Sequence, residues 1–186
     1  MFLIEYIKHP RMVGAIAPSG KHLADKMIKS INFAKAKCIV EYGPGTGVFT
    51  EKLLARAQDN TLIILIEKNI EFYNKLIELY GHKSNVIIIN DTVDKIDSII
   101  EQYHIKKIDY IVSGIPFTVL PKEETDSILN KTKNIISHGG EFITFQYSLM
   151  KKGVFSSIFP HIDIDKTLVN LPPAYVLRCR AELKNR

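Results

Sequence analysis

Tryptophan is absent from this chain, and cysteine occurs only twice, at Cys38 and Cys179. With no short spacing between them, the two thiols offer neither a zinc motif nor a disulfide framework, and each falls inside a predicted strand, so buried free thiols are expected. The six histidines, His9, His22, His82, His104, His138 and His161, are scattered without ligand spacing, and no metal is expected. Ten glycines and eight prolines in 186 residues exclude a collagenous or low-complexity chain. Long apolar runs are also missing: Leu62 to Ile66 and Val86 to Ile89 fall far short of the roughly 18 residues that a membrane-spanning helix needs. The opening segment is broken by Glu5 and Lys8 and lacks a small-residue cleavage site, so it fails as a signal peptide and a cytoplasmic protein is expected.

What remains is the composition of one globular domain, 46% hydrophobic and 24% charged. The net charge of +5 is unevenly spread. Residues 1–37 hold seven basic groups against Glu5 and Asp25, residues 38–150 eleven against fifteen acidic ones, and residues 151–186 seven against three. Basic ends around an acidic middle suit an anionic partner, nucleic acid or a phospholipid surface, or else a solvated face.

From residue 38 onward, short β-rich runs alternate with helical patterns, as βαβ units on a mostly parallel sheet require. The pattern predicts strands near 38–42, 61–66, 85–90, 108–113, 140–147, 165–169 and 174–181, and helices near 47–57, 69–80, 92–103, 122–136 and 149–158. Asn170-Leu171-Pro172-Pro173 leaves room only for a turn, so the last two strands must form an antiparallel hairpin. The expected fold is α/β: a Rossmann-like, seven-stranded, doubly wound sheet with a C-terminal antiparallel hairpin and N-terminal helices near 2–8 and 20–31. Leu23, Met27, Ile28 and Ile31 form an apolar stripe on the second of these, expected to face the core. In such a sheet ligands bind beyond the carboxyl ends of the strands.

Strand 38–42 runs into Glu41-Tyr42-Gly43-Pro44-Gly45-Thr46-Gly47 and then a helix, an arrangement that brings backbone close to a ligand. The G-x-G-x-G spacing differs from the dinucleotide G-x-G-x-x-G, which makes a nicotinamide-dependent enzyme the weaker alternative. Glu67 closes the second strand about 20 residues further on, where a ribose can donate both hydroxyls to it. Asp91 ends the third strand and can accept from an adenine amino group, or serve as an ordinary helix cap. This part of the chain resembles the class I S-adenosylmethionine-dependent methyltransferases. The resemblance implies S-adenosylmethionine as cofactor, with Glu41, Gly43, Gly45, Gly47, Glu67 and Asp91 as its contacts; Ser113 is grouped with them.

After the fourth strand stands Ser113-Gly114-Ile115-Pro116-Phe117, similar to the acceptor motif of adenine N6-methyltransferases, in which polar groups orient the amine and an aromatic stacks on the base. Gly114 stands where the ribosomal RNA adenine dimethyltransferases have Asn, so a direct amide contact is missing. Phe117 is expected to line the acceptor cavity or offer its ring to a cationic amine, unless it merely packs the loop.

Taken together, Pro10 to Ser19, Glu41 to Gly47, Ser113 to Phe117, Phe145-Gln146-Tyr147-Ser148 and Asn170 to Arg180 resemble the small bacterial phospholipid N-methyltransferases. That family methylates phosphatidylethanolamine and its partly methylated forms, so the resemblance implies an N-methyltransferase that works at an anionic or zwitterionic phospholipid surface without metal. Tyr147 and Phe117 are the expected contacts to the reacting head group. Gly114, Ile115 and Pro116 should frame the substrate, with Arg178 or Arg180 on its phosphate. Phe2, Leu3, Tyr6 and Ile7 share one helical face, suited to rest on a membrane or to cover the cofactor. Residues 1–37 are read as a helical extension of lid or membrane contact and 38–186 as the methyltransferase domain, the protein being cytoplasmic and peripherally membrane-associated. An RNA adenine N6-methyltransferase and a nonenzymatic cofactor-binding protein on the same fold are the alternatives.

Overall fold

A computed structural model of the protein describes residues 18–136, 139–167 and 173–181. The elements are α1 (Pro18–Met27), β1 (Cys38–Tyr42), α2 (Val48–Leu54), β2 (Leu62–Ile66), α3 (Ile70–Tyr80), β3 (Val86–Ile89), a 3-10 turn (Val93–Lys95), α4 (Ile96–Gln102), β4 (Tyr110–Ser113), α5 (Lys122–Ile135), β5 (Glu141–Gln146), α6 (Lys152–Ile158), β6 (His161–Thr167) and β7 (Ala174–Arg180). The strands make one sheet in the order β3-β2-β1-β4-β5-β7-β6, parallel except for β7, which runs antiparallel to both neighbours.

The central strands β1, β2 and β4 are almost wholly buried, as expected of strands covered on both faces. On one face Val40, Tyr42, Ile111 and Phe142 meet Ile96 and Ile99 of α4, Ile128 and Leu129 of α5, and Phe155 of α6. On the other, Ile39, Ile63, Val112 and Ile143 meet Leu53 of α2, Leu76 of α3 and the Leu23, Met27, Ile28 and Ile31 stripe. All four stripe residues are buried, although α1 itself ends at Met27 and the chain turns on towards β1. Burying each such side chain contributes about 1.5–3 kcal/mol, so the sheet is anchored from both sides.

The segment after α1 reaches the amino ends of the strands, where Ser30 donates to Glu141 and the Asn32 amide donates to Tyr110 Oη. Cys38 and Cys179 are both buried free thiols, and burial pushes their pKa values up.

Besides helix ends that fall a few residues short, two elements differ from expectation. β6 begins at His161 because Ile162 and Ile164 alternate inward while Asp163 and Asp165 point to arginines on β7, a charged edge that sequence pattern reads as loop. The helix expected over 92–103 is split: the Thr92 side chain caps a 3-10 turn before α4 begins. Phe2, Leu3, Tyr6 and Ile7 lie outside the described residues, as do Asn170, Leu171 and Pro172 of the expected hairpin turn.

Candidate active site

β1, β2, β3, β4 and β5 all release their chains at one edge of the sheet, and the expected cofactor residues gather there because each follows a parallel strand. Gly43, Gly45 and Gly47 have φ of 61°, 56° and 85°, a region that other residues rarely adopt, which explains the glycines at this spacing. Gly43 N–H donates to Ile66 O at 2.9 Å and Gly47 N–H to Pro44 O at 2.9 Å, closing the loop into α2.

Glu41 is fully buried. Its Oε2 accepts from the Thr50 hydroxyl at 2.7 Å, while Oε1 has no hydrogen-bond partner among the described residues. Burial pushes its carboxyl up to about 8, with the Thr50 hydrogen bond opposing and the charge of Glu67 adding to the shift. Glu67 bridges two loops: Oε2 accepts from Gly45 N–H at 2.9 Å and Oε1 from Asn69 N–H at 2.8 Å. Asn69 in turn caps α3, its side chain accepting from Glu71 N–H and Phe72 N–H. Asp91 accepts from Thr92 N–H at 2.7 Å and pairs with Lys95 at 3.0 Å, which holds its carboxyl below the usual range.

These residues fit S-adenosylmethionine. Glu41 Oε1 is a buried acceptor that an ammonium can satisfy, and the Glu67 carboxylate has about four lone-pair sites, two of which the amides leave for ribose hydroxyls. Thr92, not Asp91, is the cap here, and Asp91 retains acceptor capacity beside its bonds to Thr92 N–H and Lys95.

The acceptor side is tightly built. Ser113 is buried and its hydroxyl oxygen accepts from Ile115 N–H at 3.2 Å. Gly114 N–H donates to Tyr42 O at 2.8 Å, and a Cβ on Gly114 would stand 2.6 Å from Gly43 O, so the two loops touch through backbone. Tyr147 follows β5 at the same edge, edge-on to Phe145, which meets Phe49 of α2 in the same way.

Three expected substrate contacts are corrected. Phe117 is fully buried, with its ring perpendicular to those of Phe142 and Phe155, so it packs the core under the loop. Arg180 stands opposite the wrong end of the sheet, because β7 runs antiparallel and its last residues lie beside the first residues of β5. There Arg180 pairs with Glu141 at 3.0 Å and Asp163 at 2.7 Å. Arg178, in register with Ile143 in mid-strand, pairs with Asp165 at 3.0 Å instead of reaching the crevice.

Two residues with no role assigned from sequence join the site. Thr50 holds Glu41 from the first turn of α2, and a hydroxyl nine residues after an acidic strand end was the available signal. Lys151 Nζ donates to Phe117 O at 2.6 Å and Leu120 O at 2.8 Å, clamping the loop after β4 to the loop after β5. Nothing in the sequence distinguishes Lys151 from its exposed neighbour Lys152.

This sheet order and glycine loop define a class I methyltransferase that takes its methyl group from S-adenosylmethionine. The ribosomal RNA adenine dimethylase family model matches residues 19–131, well over half of the chain, and the chain belongs to that family. Among relatives, an ornithine lipid N-methyltransferase of Singulisphaera acidiphila is 27% identical over 184 residues, 97% of this chain and 94% of its own length. A ribosomal RNA small subunit methyltransferase A of Crocosphaera subtropica is 28% identical over 116 residues, 61% of this chain and 40% of its own length. The N-methyltransferase NodS of Bradyrhizobium japonicum, solved with S-adenosyl-L-homocysteine, shares the fold with a TM-score of 0.70 at 11% identity, over 88% of this chain and 87% of that one.

Proposed function

We propose that the protein transfers methyl groups from S-adenosylmethionine to the amine of a membrane aminolipid, phosphatidylethanolamine and its partly methylated forms. The observation that carries this reading is the extent of the lipid-enzyme match: it covers 97% of the chain, whereas the ribosomal RNA relative covers 61%. The acceptor loop supports the same reading, since Gly114 leaves no space for the side-chain amide found in RNA adenine enzymes. Exposed apolar side chains also surround the crevice: Val119 after β4, and Leu149 and Met150 after β5, the last 91% exposed. A lipid surface would cover them. No helix among the described residues is long and apolar enough to cross a membrane, so contact would be peripheral.

In this reading Glu41 holds the cofactor's ammonium, Glu67 its ribose and Asp91 its adenine amine, while the glycine loop admits the methionine part. S-adenosylmethionine supplies an electrophilic methyl group on sulfur. The acceptor nitrogen must be deprotonated and aimed along the sulfur–carbon axis, so the protein's contribution is chiefly positioning. Residues 1–37 form the extension that meets the membrane or covers the cofactor, and 38–186 the methyltransferase domain.

The test is direct. Protein and labelled S-adenosylmethionine are incubated with vesicles containing phosphatidylethanolamine, with vesicles containing ornithine lipid, and with ribosomal RNA. Label in phosphatidylethanolamine supports the proposal, label in ornithine lipid alone changes the head group, and label in RNA alone refutes it.

A further inference from the structure

Gln146, the last residue of β5, is 4% exposed, and neither its amide oxygen nor its amide nitrogen has a hydrogen-bond partner among the described residues. A buried amide without partners is unusual, since desolvating it costs free energy that an apolar side chain would not. Its position in the sheet gives a reason. Residues alternate faces along a strand, so Gln146 lies on the same face as Thr144 and Phe142. Thr144 is in register with Ser113 of β4, and its hydroxyl is likewise buried and unpartnered. The polar side chains Ser113, Thr144 and Gln146 therefore line one face at the carboxyl edge of the two strands whose loops frame the acceptor.

The loop after β4 folds down over this face. Phe117 packs its ring on Phe142, 6.1 Å between centroids, and Lys151 clamps Phe117 O and Leu120 O. Gln146 thus stands at the end of a strand whose face the acceptor loop covers, next in sequence to Tyr147. On the opposite side of the loop, contact between Gly114 and Gly43 O excludes a side chain at the position where an amide is expected.

We propose that Gln146 supplies the amide that Gly114 lacks. In the unmethylated and monomethylated acceptors its Oε1 accepts a hydrogen bond from the amine N–H, and its Nε2 is free to donate to an oxygen of the same head group. This assignment rests on the aminolipid reading above and identifies the group that orients the lipid amine. Holding one N–H fixes the direction of the nitrogen lone pair. That pair forms the new N–C bond as the S–C bond breaks, the bonding electrons pass to sulfur, and the proton leaves nitrogen for solvent.

The experiment compares wild type, Gln146→Leu and Gln146→Glu in three measurements: methylation of phosphatidylethanolamine and ornithine lipid in vesicles, S-adenosylhomocysteine affinity by calorimetry, and thermal unfolding. Gln146→Leu should lower kcat/KM roughly 100-fold, the scale of a mispositioned reactant. Cofactor affinity should stay within about twofold, and the unfolding midpoint should hold or rise, because an unpaired amide has been replaced by an apolar group of similar size. Gln146→Glu keeps an acceptor oxygen in place and should recover part of the rate. A Gln146→Leu protein that keeps its kcat/KM, or that loses rate together with cofactor affinity and thermal midpoint, overturns the assignment to Gln146. A wild type that methylates neither lipid overturns the aminolipid reading itself, and with it the proposed ligand.

Discussion

The backbone amide of Gly45 donates to Glu67 Oε2 at 2.9 Å, so the acid at the end of β2 is tied to the glycine loop after β1. Glu67→Ala removes this tie along with the proposed ribose acceptor. The loss should be about 1–3 kcal/mol of cofactor binding, or roughly 5- to 150-fold in Kd. Calorimetry with S-adenosylhomocysteine checks it, and a folded variant with unchanged affinity would remove Glu67 from the site.

Glu41 produces a pH dependence of known sign. Its folded carboxyl is raised from 4.5 to about 8, so the native state holds a proton that the unfolded chain releases. Its contribution to stability is complete below about pH 4.5, declines as pH rises to about 8, and is flat beyond. Glu41→Gln has no such proton and should gain on wild type by a few kcal/mol, about 1.4 per pKa unit, between pH 5 and pH 9. Urea unfolding at both pH values measures the gap, which should not change if Glu41 is ionised throughout.

Gly114→Ala should destabilise the protein by about 1–3 kcal/mol, because a Cβ there meets the backbone oxygen Gly43 O at 2.6 Å and neither atom can rotate away. Cofactor affinity should fall with it, since Gly43 belongs to the glycine loop. An alanine variant with wild-type unfolding and affinity would show that the two loops part readily.

Arg180→Ala should act on stability alone. It leaves Glu141, whose side chain is 3% exposed, with only the Ser30 hydroxyl, at a cost approaching the roughly 3–5 kcal/mol of a stranded buried charge. Cofactor affinity and KM for lipid should not move. A rise in KM without loss of stability would return Arg180 to the substrate.

Deleting residues 1–9 removes the apolar positions Phe2, Leu3, Tyr6 and Ile7 from a basic segment. If this segment meets lipid, sedimentation with anionic vesicles should be lost while cofactor binding persists, and in the intact protein it should fade with salt. Cofactor affinity lost while vesicle binding persists would instead make the segment a lid.

The chain by itself determined whatever depends on neighbours in sequence. The alternation of short β-rich runs with helical patterns placed the strands that end at Tyr42, Ile66 and Ser113, and a third strand, read as 85–90, that ends at Ile89. Parallel strands release their chains at one edge, so acids at three such ends lie along that edge, and one of them, Glu67, bonds the glycine loop. Only tertiary structure decided what depends on direction and depth. The reversed course of β7 carried Arg180 to the far end of the sheet, where Glu141 and Asp163 await it. Phe117 turned inward because Phe142 and Phe155, distant in sequence, built an aromatic core beneath its loop. Gln146 reads in sequence as one polar residue at a strand end. That its amide is buried without a partner among the described residues depends on which loop folds over that strand, a long-range contact that no local pattern encodes.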